Sequence, residues 1–450
     1  MKRIRIGNGC GFWGDNLDAP VRLAESGSLD YLTLEYLAEL TMSILALLKQ
    51  KKPEAGYAHD FLDVLARLVP QLKRQPNMKI VTNAGGMNPQ ACAVEVRKVL
   101  EANGLPHIKV GIVSGDDLLP RLDELIAAGH AFDHLDSGEP LAKVRDRVVS
   151  ANAYLGAKPI ADALGQGANV VVTGRVADAS LTLGPCLHEF GWAMDDWNSL
   201  SAGTVAGHLI ECGAQATGGL WMHADASTNL EEVGYPIAEI DAHGTFTVSK
   251  PTGTGGAVNL ETVGEQLLYE VADPARYFTP DVVADFTTPR FRQLAKDLVE
   301  CTGSKGNPAT DTYKVSIAYR DGYTAAGTLT IFGPNAIAKA RQSGAILLAR
   351  LKQAGHTFAH SLVEVLGAGG CVPGVVKPAS DPPEVVLRVA VRDPNRAAVE
   401  RFTKEFAPLV TSGFAGTAGY TTGRATVREV FAYWPALVNK SAVQASVEVF

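Results

Sequence analysis

The chain has 450 residues, more than one ordinary core accommodates, so two domains or one large domain are expected. Hydrophobic residues make up 46% and charged residues 20%, a folded globular balance that excludes a disordered chain. The formal net charge is -7 with no evident basic patch, no apolar run reaches the ~20 residues that span a bilayer, and MKRIRIGNGCG has no apolar signal-peptide core; nucleic acid and membrane are excluded as default partners and the cytoplasm is the expected location.

In chain order, Lys2 to Ile6 reads as a first strand, and GNGCGFWGD follows it. Leu29 to Glu35 reads as a second strand, and Leu37 to Leu48 as a helix. Tyr57 to Val69 is an amphipathic helix that Pro70 is expected to end. Met78 to Thr82 is a third strand, followed by NAGGMNP and a helix from Pro89 with Asn88 as its cap. Val110 to Val113 is a fourth strand, and a helix over Leu118 to Ala128 follows SGDD. A short strand over Ala151 to Leu155 and a helix over Ile160 to Leu164 lead to the strand Asn169 to Thr173, which runs into TGRVADAS.

Short apolar runs that alternate with helices make βα units, and right-handed crossovers put successive loops on one sheet edge. The expected fold is α/β: an open, mostly parallel sheet with flanking helices, plus a smaller α+β region. The main polar crevice then falls in residues 1–230 and the smaller region in 231–450. A closed barrel fits the same pattern less well, since eight even repeats are not visible. After residue 230 the texture changes to short strands, at Phe246–Val248, Gln266–Val271 and Val282–Phe286. Tyr313–Tyr319 and Tyr323–Phe332 are expected to pair as a hairpin across RDG. A helix over Ala336 to Leu351, strands over Ser361–Leu366 and Val385–Val391, and a helix over Asn395 to Leu409 complete the reading.

Candidate chemistry sits at the polar strand ends. Asn8 and Asp15 lie among four glycines, where backbone N–H groups can form an anion nest, although the spacing is neither a dinucleotide fingerprint nor a Walker loop. Glu35 ends an apolar run, and a buried carboxylate there can act as a general base. Asn83 and Asn88, and Ser114 and Asp116, follow the next strands and are equally able to serve as turn or cap residues. The most specific cluster is Arg175, Asp178 and Ser180: an Arg beside an Asp can clamp a carboxylate or phosphoryl group while the Asp orients it. Lys250, Thr252, Gly253, Thr254, Gly255 and Gly256 make a second Gly-rich loop suited to an anion, or simply to a mobile turn. Asp133, His134, Asp136 and Glu139, with Asp116, offer hard-metal donors in no recognised spacing, and His223 is the best histidine candidate for acid–base work. The six cysteines contain no CxxC pair, so a structural zinc site or disulfide framework is not expected.

Taken together, GNGCGFWGD, TNAGGMNP, TGRVADASL and KPTGTGGAVN resemble the N-terminal region of acyclic terpene utilisation proteins of the AtuA type, over most of the chain. The resemblance implies a place in bacterial breakdown of citronellol and geraniol, where acids are handled as coenzyme A thioesters. It also implies a role in cleaving a branched 3-hydroxyglutaryl-type thioester; it brings no catalytic set. The leading expectation is therefore a catabolic enzyme on an acyl-CoA or related branched carboxylate, a lyase in which Asp15 or Glu35 is the base and Arg175 holds a carboxylate. One alternative is a hydrolase or hydratase assisted by a divalent metal, the other a non-catalytic ligand-binding or assembly subunit. No cofactor motif is present; coenzyme A enters only as part of a substrate. The expected partner is a small molecule, and self-association into a homo-oligomer fits the composition.

Overall fold

The computed structural model describes residues 2–26, 28–375, 377, 380, 382–419 and 423–450. Eight strands open the chain: β1 (Arg3–Asn8), β2 (Tyr31–Leu34), β3 (Lys79–Thr82), β4 (Val110–Ser114), β5 (Val148–Ala153), β6 (Val170–Thr173), β7 (Ile237–Asp241) and β8 (Phe246–Ser249). All but β5 join one ten-stranded sheet, in the order Arg290–Ala295, Leu298–Thr302, β8, β7, β1, β2, β3, β6, β4, Ser446–Val449. The five central strands β1, β2, β3, β6 and β4 are parallel. Antiparallel pairings extend them on both sides, β7 onto β1 and Ser446–Val449 onto β4. The expected open α/β sheet is present, and the change of texture near residue 230 is the passage from parallel to antiparallel pairing within that sheet.

The central strands are apolar throughout because both faces are covered. Val81 and Val171 face one core with the helices Lys158–Gly165, Ser180–Phe190 and Trp197–Glu211. Ile80, Val170 and Val172 face the other, with Ala19–Ser26, Asp60–Arg74 and Pro89–Ala102. Neighbouring residues of one strand thus feed opposite cores, as the period of two requires.

By compactness the chain forms two units, residues 1–318 with 433–450, and residues 319–432. The second unit has the strands His360–Leu366 and Glu384–Asp393 beside the later part of Thr312–Phe332. Helices Ala336–Gln353, Arg396–Thr403 and Phe406–Ser412 close its core around Leu329, Leu347, Leu387 and Phe402.

Three local expectations are corrected. Pro70 lies inside the helix Asp60–Arg74 rather than at its end; Gln71 and Leu72 are buried beyond it, and that packing sustains another turn. Gln266–Val271 is not a strand, since the helix Leu260–Leu268 runs into it from a capping box at Asn259. RDG makes no hairpin: Thr312–Phe332 is one strand, with Gly322 at φ +84 absorbing an irregularity. Among the described residues no helix is long and apolar enough to cross a membrane.

Candidate functional site

All five parallel strands end on the same side, and their following residues converge. Residues after β1 (Gly11, Phe12), β2 (Glu35, Leu37) and β6 (Arg175, Asp178) line one cavity of about 810 Å³. The end of β3 reaches it through Asn83, whose side-chain amide donates to Glu35 Oε1 while Asn83 Oδ1 accepts from Tyr36 N at 2.8 Å. The end of β4 contributes Asp116, whose Oδ2 accepts from Arg175 N at 2.9 Å. Sheet topology therefore delivers three loops to the cavity and sets the ends of β3 and β4 directly behind them.

Arg175 is the centre of the cavity floor. Its side chain is 2% exposed. Nη2 lies 2.9 Å from Asp178 Oδ1, Nη1 donates to Leu37 O at 3.2 Å, and the guanidinium sits 4.1 Å from the Tyr154 ring centroid. The Tyr154 hydroxyl donates to Glu39 Oε1 at 2.6 Å, and Lys314 Nζ approaches the same oxygen at 3.3 Å. Burial alone would raise Glu39, but the Tyr154 hydroxyl, Arg175 and Lys314 outweigh it and hold Glu39 down at about 2. Glu35 behaves oppositely. Burial and the Asp178 charge push it well above the ordinary carboxylate range, against the pull of Arg175, Asn83 and the Leu37 N–H. The floor thus lowers the pKa of one carboxyl and raises that of a neighbouring one, an arrangement suited to acid–base work.

The facing wall comes from the helix Trp197–Glu211, whose residues from Leu200 to Ile210 are all buried. His208 and Glu211 stand one turn apart, with His208 Nδ1 3.0 Å from Glu211 Oε1. Asn8 fixes this helix end, its amide donating to Ile210 O at 2.7 Å and Glu211 O at 2.9 Å. Close approach is permitted by Gly11, where a Cβ would come within 2.6 Å of the Cys212 backbone. Phe12, Leu135, Tyr269, Phe278, Pro280 and Leu437 give the cavity its apolar part.

Glu35, Arg175 and Asp178 are thus brought together among the residues the sequence singled out, with Asn8, Asn83 and Asp116 directly behind them. Asp15 is not at the cavity: Oδ2 accepts from Gly11 N at 2.8 Å and Oδ1 from the Tyr235 hydroxyl at 2.6 Å, so it fastens the glycine loop. Asn88 caps Pro89–Ala102 and donates to Pro53 O and Ala55 O. Ser114 pairs with Ser446 at the β4 edge, and Ser180 Oγ reaches Asp281 Oδ2 at 3.5 Å. Lys250 is engaged by Asp297 at 3.2 Å and Thr254 O at 2.8 Å, and the Gly255 and Gly256 N–H groups donate to Glu232 O and Thr228 O. The Lys250–Gly256 loop, Thr252 and Gly253 included, does not line this cavity. His223 pairs with Glu261 in the open, at 2.9 Å. Among the described residues no group of three or more His, Cys, Asp or Glu is arranged to hold a metal ion. Glu39, Tyr154, Glu211 and Lys314 were not foreseen, and His208 was passed over; a His and a Glu three residues apart in an otherwise apolar helix is the signal that could have found the pair.

Asp116 makes a pH prediction. Burial lifts its carboxyl from the ordinary 3.8 to about 6, against the Arg175 N–H and the Asn152 amide, which donates at 2.8 Å. A folded value above the unfolded one contributes stability below pH 3.8 that is lost as pH rises through 6. Asp116→Asn keeps an acceptor and has no charge to bury. Relative to the parent it should gain up to about 3 kcal/mol between pH 4 and pH 8, at ~1.4 kcal/mol per unit. Urea denaturation at both pH values checks this; a variant that loses ground at pH 8 contradicts it.

Fold and site together define an α/β protein with a buried, mixed-charge cavity at the carboxyl edge of its parallel strands. The family model described as acyclic terpene utilisation family protein AtuA matches residues 4–449, and the chain belongs to that family. Comparison with curated proteins finds no match, and none is found among solved structures.

Proposed function

We propose that this protein is an enzyme that binds a branched, partly apolar acyl thioester or related carboxylate in the 810 Å³ cavity and acts on it by proton transfer. One observation carries the reading. Of the buried side-chain polar atoms without a hydrogen bond among the described residues, four that also have no ion-pair partner belong to residues lining this cavity: Glu35 Oε2, Arg175 Nε, His208 Nε2 and Glu211 Oε2. Unpaired buried polar atoms each cost about 1–3 kcal/mol, so such a concentration fits groups that meet a ligand. The volume suits a ligand of drug-like size. The apolar wall suits a branched hydrocarbon chain, in keeping with the family's association with acyclic terpenes.

The chemistry that fits best is the lyase version on a 3-hydroxyacyl thioester. A base such as Glu35, in its ionised form, takes the 3-hydroxyl proton. The C2–C3 bond breaks, a carbonyl forms at C3, and the released electron pair becomes a thioester enolate. Arg175, held by Asp178 and Leu37 O, polarises the thioester oxygen. Purified protein incubated with a panel of branched 3-hydroxyacyl-CoA, acyl-CoA and free acids tests the reading by mass spectrometry of products. Turnover or saturable binding of at least one branched thioester is expected; inertness and no binding across the panel would overturn it.

A further inference from the structure

His208 and Glu211 are not needed to complete the helix that carries them. The helix end is already held by Asn8, and Gln266 Nε2 donates to the His208 carbonyl at 3.1 Å. The His208 side chain is 3% exposed and that of Glu211 12%, which carries a desolvation cost. A pair kept for packing would have its outer atoms satisfied as well. Here Nδ1 and Oε1 face each other, while His208 Nε2 and Glu211 Oε2 have no hydrogen bond, and both residues line the cavity. With Nδ1–H donated to the carboxylate, the imidazole lone pair is on Nε2, the arrangement by which a buried carboxylate orients and strengthens a histidine base.

Building on the acyl-thioester reading, we propose that His208, oriented by Glu211, is the acid–base residue that moves the proton on the carbon beside the thioester carbonyl. In the forward sense of the exchange, the Cα–H bond breaks, its electron pair passes to the carbonyl oxygen, and the proton goes to His208 Nε2. In the reverse sense the enolate takes that proton back at carbon, which is also the step that completes C2–C3 cleavage. No oxidant or further reactant enters. Glu35 and Arg175 then serve the oxygen ends of the substrate and the dyad serves carbon, which assigns the two polar walls different tasks.

The groups that face the dyad set its pH response. Tyr277 and Phe286 lie 5.3 and 5.1 Å from the imidazole, ring centroid to ring centroid, and Asp178, Cys212, Glu270 and Tyr277 act on or are acted on by Glu211. Burial would lower His208, but the hydrogen bond and charge of Glu211, with the backbone carbonyls of Gln266 and Leu267, outweigh it and raise it; burial, with Asp178 and Glu270, lifts Glu211 to about 7 against His208. The pair therefore shares a titratable proton near neutrality.

The test is exchange of the Cα protons of 3-methylbutanoyl-CoA in deuterium oxide, followed by proton NMR, with binding measured on the same samples by calorimetry. The parent protein should catalyse exchange, faster as pH rises through a value above that of free histidine. His208→Gln should slow it by about 10²–10⁴ while still binding the thioester. Glu211→Gln should slow it by about tenfold and move the profile to lower pH, since the carboxylate that raises His208 is gone; a merely structural role would leave the profile in place. Thermal melts of both variants establish folding, and either one folded suffices. Exchange undiminished in a folded variant, or absent in a parent that binds or turns over branched thioesters, overturns the dyad and leaves the broader reading standing. A parent that neither binds nor turns over any branched thioester overturns both.

Discussion

Replacing Arg175 with methionine should destabilise the protein by about 3–5 kcal/mol and abolish turnover. The guanidinium is fully buried and is the cation nearest a group of acids: it pairs with Asp178 and acts on Glu35 and Glu39. Methionine fills much of the volume, so the loss is chiefly electrostatic: the carboxyl groups remain in a site of low polarity with Lys314, engaged at Glu39, as the nearby countercharge. The Leu37 carbonyl loses its donor and Tyr154 its stacked cation as well. The sign with pH follows. Arg175 pulls down both Glu35 and Asp178, so without it both hold their protons to higher pH. The folded variant then pays least in acid, where both are neutral, and the destabilisation grows from pH 5 to pH 8. Arg175→Lys should not restore the parent, because a point charge cannot both stack on Tyr154 and donate to Leu37 O while meeting Asp178. Urea denaturation of the three proteins at the two pH values reads this directly. A loss below ~1 kcal/mol at pH 8 would show that the acids are solvated rather than held by Arg175.

The parallel sheet was legible because its strands carry their own signature. YLTL, KIVT and VVVT are apolar on both faces, and each ends in a polar residue that the topology must place at the same edge. Glu35, Asn83 and Arg175 were found for that reason, and their convergence follows from parallel order alone. At Asp15 and the Lys250–Gly256 loop the same kind of signal has a structural cause. Glycine and a nearby polar group mark a sharp turn, but the same local pattern serves whether the freed N–H groups meet a ligand or, as at Gly255 and Gly256, other backbone carbonyls. The facing wall was hidden for another reason. The helix Trp197–Glu211 is buried on all sides, so it has no polar face to give a 3.6-residue period, and neither it nor Ser180–Phe190 stood out as a helix. Tyr154, Lys314 and Glu39 meet from three distant segments, a proximity that no local spacing encodes.

Glu35→Gln should separate structure from chemistry at the floor. Glu35 Oε1 accepts from the Asn83 amide and, at 2.8 Å, from Leu37 N, and a glutamine carbonyl can accept both. Because the folded carboxyl is raised, its contribution to stability is present below the ordinary value and is lost as pH rises through the folded one. The amide never ionises. The variant should therefore match the parent within about 1 kcal/mol in mild acid and exceed it in stability at pH 8. Glu35→Ala should instead lose stability at every pH, since it leaves two buried donors unpaired at about 1–3 kcal/mol each. Turnover in Glu35→Gln should nevertheless fall by about 10²–10⁴, because an amide cannot take the 3-hydroxyl proton. Denaturation curves and steady-state rates on the same preparation decide the matter. Stability gained with turnover unchanged would make Glu35 an acceptor that shapes the β2 and β3 ends and nothing more, and the 3-hydroxyl proton would have to leave through Asp178, the other raised carboxyl of the floor.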